Sequence, residues 1–100
     1  MKPVVLHPHA ETELEQAADR YEQEREVLGG EFRLEFEAAL ARLLDNPQLY
    51  AIERNDLRRC PLHRFPYTIY YADMADRVWI AAVAHQHRRP GYWTRRKRQE

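Results

Sequence analysis

Tyr67-Thr68-Ile69-Tyr70-Tyr71, then Ala72-Asp73-Met74-Ala75-Asp76, then Arg77-Val78-Trp79-Ile80-Ala81-Ala82-Val83-Ala84, is the stretch that decides the fold. Two runs of β-branched, aromatic and small apolar residues stand either side of a short polar connection. Such side chains fit a pleated, half-buried surface, and the connection is short enough for a hairpin, so the two runs are expected to be antiparallel neighbours. Just upstream, Leu57 to Cys60 reads as another strand, and Phe65-Pro66 marks a bend before Tyr67.

Further upstream the period changes from two to that of a helix. Ala10, Leu14, Ala17, Ala18, Tyr21 and Leu28 fall on one stripe, with Glu11, Glu13, Glu15, Asp19, Glu22 and Glu24 mostly elsewhere. Gly29-Gly30 is read as the break, after which Phe32, Phe36, Ala39, Leu40, Leu43 and Leu44 form a second stripe ending at Asp45-Asn46-Pro47. Two helices joined so closely fold back as an antiparallel hairpin. At the start, Val4-Val5-Leu6 reads as a strand, and Pro8 suits a helix's first turn, where a missing N–H costs nothing. The expectation is one α+β domain over residues 1–100: an N-terminal strand, and an antiparallel two-helix hairpin packed on a mainly antiparallel four-stranded sheet.

A 100-residue chain builds only a small core, so a partner that covers apolar surface would matter energetically. The lone cysteine, Cys60, cannot form an internal disulfide and supplies no cysteine-rich zinc site, which fits a reducing, cytoplasmic setting. No apolar run reaches the ~18 residues of a spanning helix, and Met1-Lys2-Pro3 leads into Val4 without a signal-peptide core, so no membrane partner is expected. The net charge of zero hides an asymmetry: residues 1–50 carry 5 basic and 11 acidic side chains, residues 51–100 carry 11 and 5. One face is thereby suited to an anionic partner, whether nucleic acid or an acidic protein segment.

Three groups of residues could carry chemistry. His7 with His9, and His85 with His87, are H-x-H pairs, but nothing obvious completes a ligand set, so neither metal nor cofactor is expected. Arg58, Arg59 and Arg64 are interleaved with Phe65, Tyr67, Tyr70 and Tyr71; guanidinium groups pair with phosphate or carboxylate and aromatic faces stack on bases, though the same mixture also builds a sheet. The basic, aromatic tail at 85–100 contains His85, His87, Arg88, Arg89, Tyr92 and Trp93, which could neutralise phosphate, move protons or stack, or could fold back as a latch. No Ser-His-Asp spacing or metalloprotease motif is present, which disfavours an ordinary hydrolase.

The string Leu57-Arg58-Arg59-Cys60-Pro61-Leu62-His63-Arg64-Phe65-Pro66-Tyr67-Thr68-Ile69-Tyr70-Tyr71, followed by Ala82-Val83-Ala84-His85-Gln86-His87-Arg88-Arg89-Pro90-Gly91-Tyr92-Trp93, resembles the RelE/ParE family of type II toxin–antitoxin toxins. The resemblance implies a cytoplasmic growth inhibitor, neutralised by a cognate antitoxin whose C-terminal segment wraps over the helices and sheet. It also implies one of two mechanisms: ribosome-dependent mRNA cleavage, as in the RelE branch, or inhibition of DNA gyrase, as in the ParE branch. For the nuclease it would assign Arg59, Arg88 and Tyr92 to catalysis, but Thr68 stands where the middle arginine is expected and Pro61 where a lysine would help. Threonine cannot stabilise a developing phosphorane charge as guanidinium does, a loss of a few kcal/mol of barrier. The leading expectation is therefore a ParE-like toxin, not an enzyme, that binds its target through Arg58, Arg64, His85, His87, Arg89 and Trp93. The alternatives are the ribosome-dependent endoribonuclease and a non-toxic binding module or inactivated relative.

Overall fold

In the computed structural model, which describes residues 2–98, the chain runs β1 (Val4–Leu6), α1 (Pro8–Glu24), α2 (Leu28–Asp45), β2 (Ile52–Arg54), β3 (Leu57–Pro61), β4 (Tyr67–Asp73) and β5 (Val78–His85). Met1, Gln99 and Glu100, which the expected domain and its tail include, lie outside the described residues. The strands form one sheet in the order β1-β5-β4-β3-β2. It is antiparallel except where β1 lies parallel to β5, with Val4 beside Val78 and Leu6 beside Ile80. The α+β class and the β4–β5 hairpin are as expected. The sheet has five strands rather than four: β2 was missed because all three of its residues are exposed, so no alternation of buried and exposed side chains marks it.

The helix break also lies elsewhere than expected. Gly29 and Gly30 sit inside the first turn of α2, and the chain turns at Arg25 to Val27, where Val27 takes a left-handed φ of 65°. Glu22 caps the new helix from the end of α1: its carboxylate accepts the amides of Val27 and Gly29, each at 3.0 Å. Gly29 is needed for proximity, because a Cβ there would meet the Ala18 carbonyl oxygen at 2.5 Å. The helices therefore touch backbone to backbone where the sequence reads as a break between them.

The two faces of the sheet are covered differently. On one, Ala10, Ala17 and Ala18 of α1 and Phe32, Phe36, Ala39 and Leu43 of α2 pack on Cys60, Tyr67, Ile69, Tyr71, Val78, Ile80 and Val83. On the other, Leu57, Ala72, Trp79, Ala81, Ala82 and Ala84 are covered by Trp93 from the tail. A β-bulge in β5 sets which residues reach which face. Tyr70 lies opposite Ala82 and Tyr71 opposite Ile80, leaving Ala81 as the extra residue. Trp79 and Ala81 face the tail with Ala82, while Val83 turns back to the helices. The phase shift brings His85, opposite Tyr67, onto the helix side at the strand's end.

Candidate functional site

Beyond Leu6, β1 no longer runs beside β5, and two side chains take over there. Glu13 of α1 accepts the Val83 amide at 2.9 Å, and Arg96 of the tail donates to the Ala81 carbonyl at 2.9 Å. Glu13 and Arg96 also pair bidentately at 3.0 and 2.8 Å, with only 13% and 12% of their side chains exposed. The Tyr92 hydroxyl completes the group, donating to Glu13 at 2.5 Å. Burial, and next the bond to Glu13, hold the Tyr92 phenol well above its ordinary range. That hydroxyl is a fixed donor to a carboxylate, not a proton donor poised near neutrality.

Beside this hub a cleft of about 390 Å³ opens between α1 and the end of β5. Its walls carry Arg20, Tyr67, His85, His87, Arg88 and Tyr92, with Glu13 beneath. Arg20 donates to the Tyr67 hydroxyl, and the Arg88 guanidinium lies over the Tyr92 ring, 4.0 Å from its centroid. His85 Nδ1 accepts the His87 amide at 3.0 Å, so in the neutral ring the proton is on Nε2. Burial, and then the charges of His87 and Arg20, lower the His85 pKa. His7 and His9 repeat this local geometry at the start of α1, the His7 ring accepting the His9 amide at 3.0 Å. Each pair thus uses one ring nitrogen on its own backbone, and no group of three or more candidate metal ligands exists among the described residues.

The expected site residues fall into separate places. His85, His87, Arg88 and Tyr92 meet at the cleft, and Arg89 lies exposed just beyond it. Trp93, expected to stack on a target, instead stacks on Tyr70 with centroids 4.1 Å apart and is 2% exposed. Arg58 braces the approach to β2, donating to the carbonyls of Gln48 and Tyr50. Arg59 pairs with Glu53 at 3.6 Å on β2, and Arg64 with Glu31 of α2 at 2.9 Å. Arg59 is on β3 and Arg88 follows β5, so β4 separates them, and Thr68 on that strand is buried. The residues assigned to catalysis therefore share no single constellation.

Glu13, Arg20 and Arg96 were not singled out from the sequence, yet a signal existed. Glu13 lies three residues after Ala10 and four before Ala17, which puts a carboxylate on the buried stripe of α1 and calls for a partner. Arg20 continues that line, three residues after Ala17.

A family model for the ParE toxin of the type II toxin–antitoxin system parDE matches residues 4–90. No curated protein sequence matches the chain. Among solved structures, a chain from the chromosomal ParDE TA system of P. aeruginosa superposes with a TM-score of 0.62 at 13% identity, covering 85% of this chain and 96% of that one. At that identity the likeness is one of fold.

Proposed function

The chain belongs to the ParE toxin family of type II toxin–antitoxin systems, and from that premise we propose that it arrests growth by binding DNA gyrase and is neutralised by a cognate antitoxin in the cytoplasm. The observation that carries the choice of binding over RNA cleavage is the state of Tyr92. Its hydroxyl is committed to Glu13 and its pKa is raised, while Thr68 is buried where a nuclease needs a cation and Arg59 is paired with Glu53 across the sheet from Arg88. A nuclease needs a group that moves a proton and cations that gather around one phosphate. A binding toxin needs only cations presented at the surface, and Arg88 and Arg89 supply them.

Expression without an antitoxin tests this reading. The expected result is arrest with filamentation and DNA-damage signalling. Continued growth would contradict a toxin, and arrest with mRNA cut in the ribosomal A site would move the chain to the nuclease reading.

A further inference from the structure

Arg95, Arg96, Lys97 and Arg98 form a basic run in which every second side chain is tied into the fold. Arg96 meets Glu13 and the Ala81 carbonyl, and Arg98 meets Asp56 and lies over Trp79. Arg95 and Lys97 are exposed, and no carboxylate pairs with either among the described residues. They line a cavity of about 350 Å³ between the start of α1 and the tail, whose other walls are His7, His9, Tyr92 and Arg96. Among the described residues no carboxylate lines it, and it shares only Tyr92 with the cleft between α1 and β5. We propose that this cavity, with its two free cations, binds the phosphate backbone of duplex DNA, as a site separate from the cleft and independent of the gyrase reading.

The two cations are placed by the fold although their heads are free. Arg96, bidentate to Glu13, anchors the backbone between them, and its amide closes the preceding turn on the Trp93 carbonyl at 3.1 Å. Across the cavity His7 Nδ1 accepts the His9 amide, so in the neutral ring Nε2 carries the proton and is a further donor.

The arrangement does not suit a lone small anion. The first-turn amides of α1, which would cradle one, are engaged: His9 bonds to the His7 ring, and Ala10 and Glu11 bond to the His7 carbonyl at 2.8 and 3.1 Å. Without a backbone cradle, affinity has to come from several phosphates met at once by side chains, as along a nucleic-acid backbone. The tail's aromatics favour a duplex over a single strand. Tyr92 is covered by the Arg88 and Arg96 guanidinium groups, 4.0 and 5.1 Å from its ring centroid, and Trp93 is stacked on Tyr70, so neither is open to a base. Contacts made to phosphate alone are indifferent to sequence. Nor do the carboxylates of α1 oppose the approach. Glu13 is neutralised by Arg96, Glu15 pairs with Arg33 and Glu22 caps α2. Glu11, two residues after His9, lies roughly 200° round the helix from it.

The test titrates the full chain into a fluorescently labelled DNA duplex and follows anisotropy over a series of salt concentrations. Saturable binding is expected at about 50 mM salt, equal for a duplex of scrambled sequence and weakening as salt rises. Arg95→Gln and Lys97→Gln should each lower the slope of log K against log salt by about one, and each should weaken binding about tenfold near 0.1 M salt. Both residues are exposed, and the unfolding midpoint of each variant checks that the fold is intact. Arg33→Gln, whose ion pair lies on α2, should leave the slope unchanged. Four results would each overturn the proposal: no saturable binding, an unchanged slope in folded Arg95→Gln and Lys97→Gln, an equal drop in Arg33→Gln, or tighter binding of the single strand or of the peptide acetyl-(Glu)6-amide. Displacement of the duplex by inorganic phosphate at a concentration that adds little ionic strength would also overturn it, by showing a site for one small anion.

Discussion

Residues 85–89, with Arg88 and Arg89 but no Phe, Tyr or Trp, and residues 91–98, with Tyr92, Trp93 and four basic side chains, belong to one basic tail in sequence, and the fold uses them in opposite ways. Trp93 stacks on Tyr70 and closes the sheet face that the helices leave uncovered; Arg96 locks onto Glu13 and the β5 bulge; Arg98 pairs with Asp56 and lies over Trp79. His87, Arg88 and Arg89 are exposed, and no carboxylate pairs with them among the described residues. The turn between the two stretches is Gly91, at a φ of +80°, where a Cβ would meet the Arg54 guanidinium at 2.8 Å. The difference teaches that a cation's use depends on whether a carboxylate is already waiting for it: Glu13 is there for Arg96, and nothing equivalent meets Arg88.

The division breaks most visibly if the strapped stretch proves dispensable. Trp93→Ala removes the cover of the second sheet face and should cost about 3–5 kcal/mol of folding stability, measured by urea unfolding. Arg96→Ala leaves Glu13 partly buried without its counter-charge, and should cost about 3 kcal/mol in the same measurement. An unfolding midpoint unchanged in both would mean that the tail is not part of the fold.

A finer cut comes from Tyr92, which belongs to both the hub and the cleft. Tyr92→Phe loses a hydrogen bond to a carboxylate and should cost about 1.5–2 kcal/mol, while growth arrest at moderate temperature persists. Abolished arrest in a variant that is still folded would restore a catalytic tyrosine. The pH dependence follows. The folded state holds the Tyr92 proton more firmly than the unfolded state, so this stabilisation is present below the ordinary tyrosine range near ~10 and lost as pH climbs toward the raised folded value. Unfolding followed above pH ~10 should show a steeper fall in stability for the parent than for Tyr92→Phe.

The smallest expected effect on folding lies in the open stretch. Arg88→Ala with Arg89→Ala should shift stability by under about 0.5 kcal/mol and yet weaken the biological effect. A large loss of stability would place Arg88's contact with the Tyr92 ring among the supports of the fold.

What was legible in the sequence follows the same physics. The helices declare themselves because each buries one face and so writes a period into the chain, while β1, β4 and β5 show through their β-branched, aromatic and apolar runs. β2 buries nothing and wrote none. Gly29 read as a helix break because the need it meets, contact with the Ala18 carbonyl, comes from another helix. The cleft was half visible: His85, His87, Arg88 and Tyr92 stand close together in sequence, whereas Arg20 and Glu13 reach them only through the packing of α1 on β5. The bulge that turns His85 toward α1 shows only as the small pair Ala81-Ala82, which reads equally well as ordinary strand.

The central claim, a toxin that binds rather than cuts, is tested most directly by titrating the purified chain into a DNA-supercoiling reaction with a fixed amount of gyrase. The account predicts inhibition that saturates when toxin matches enzyme, with Tyr92→Phe inhibiting as well as the parent. Full supercoiling at excess toxin, together with cleavage of ribosome-bound mRNA by traces of the chain, would contradict it.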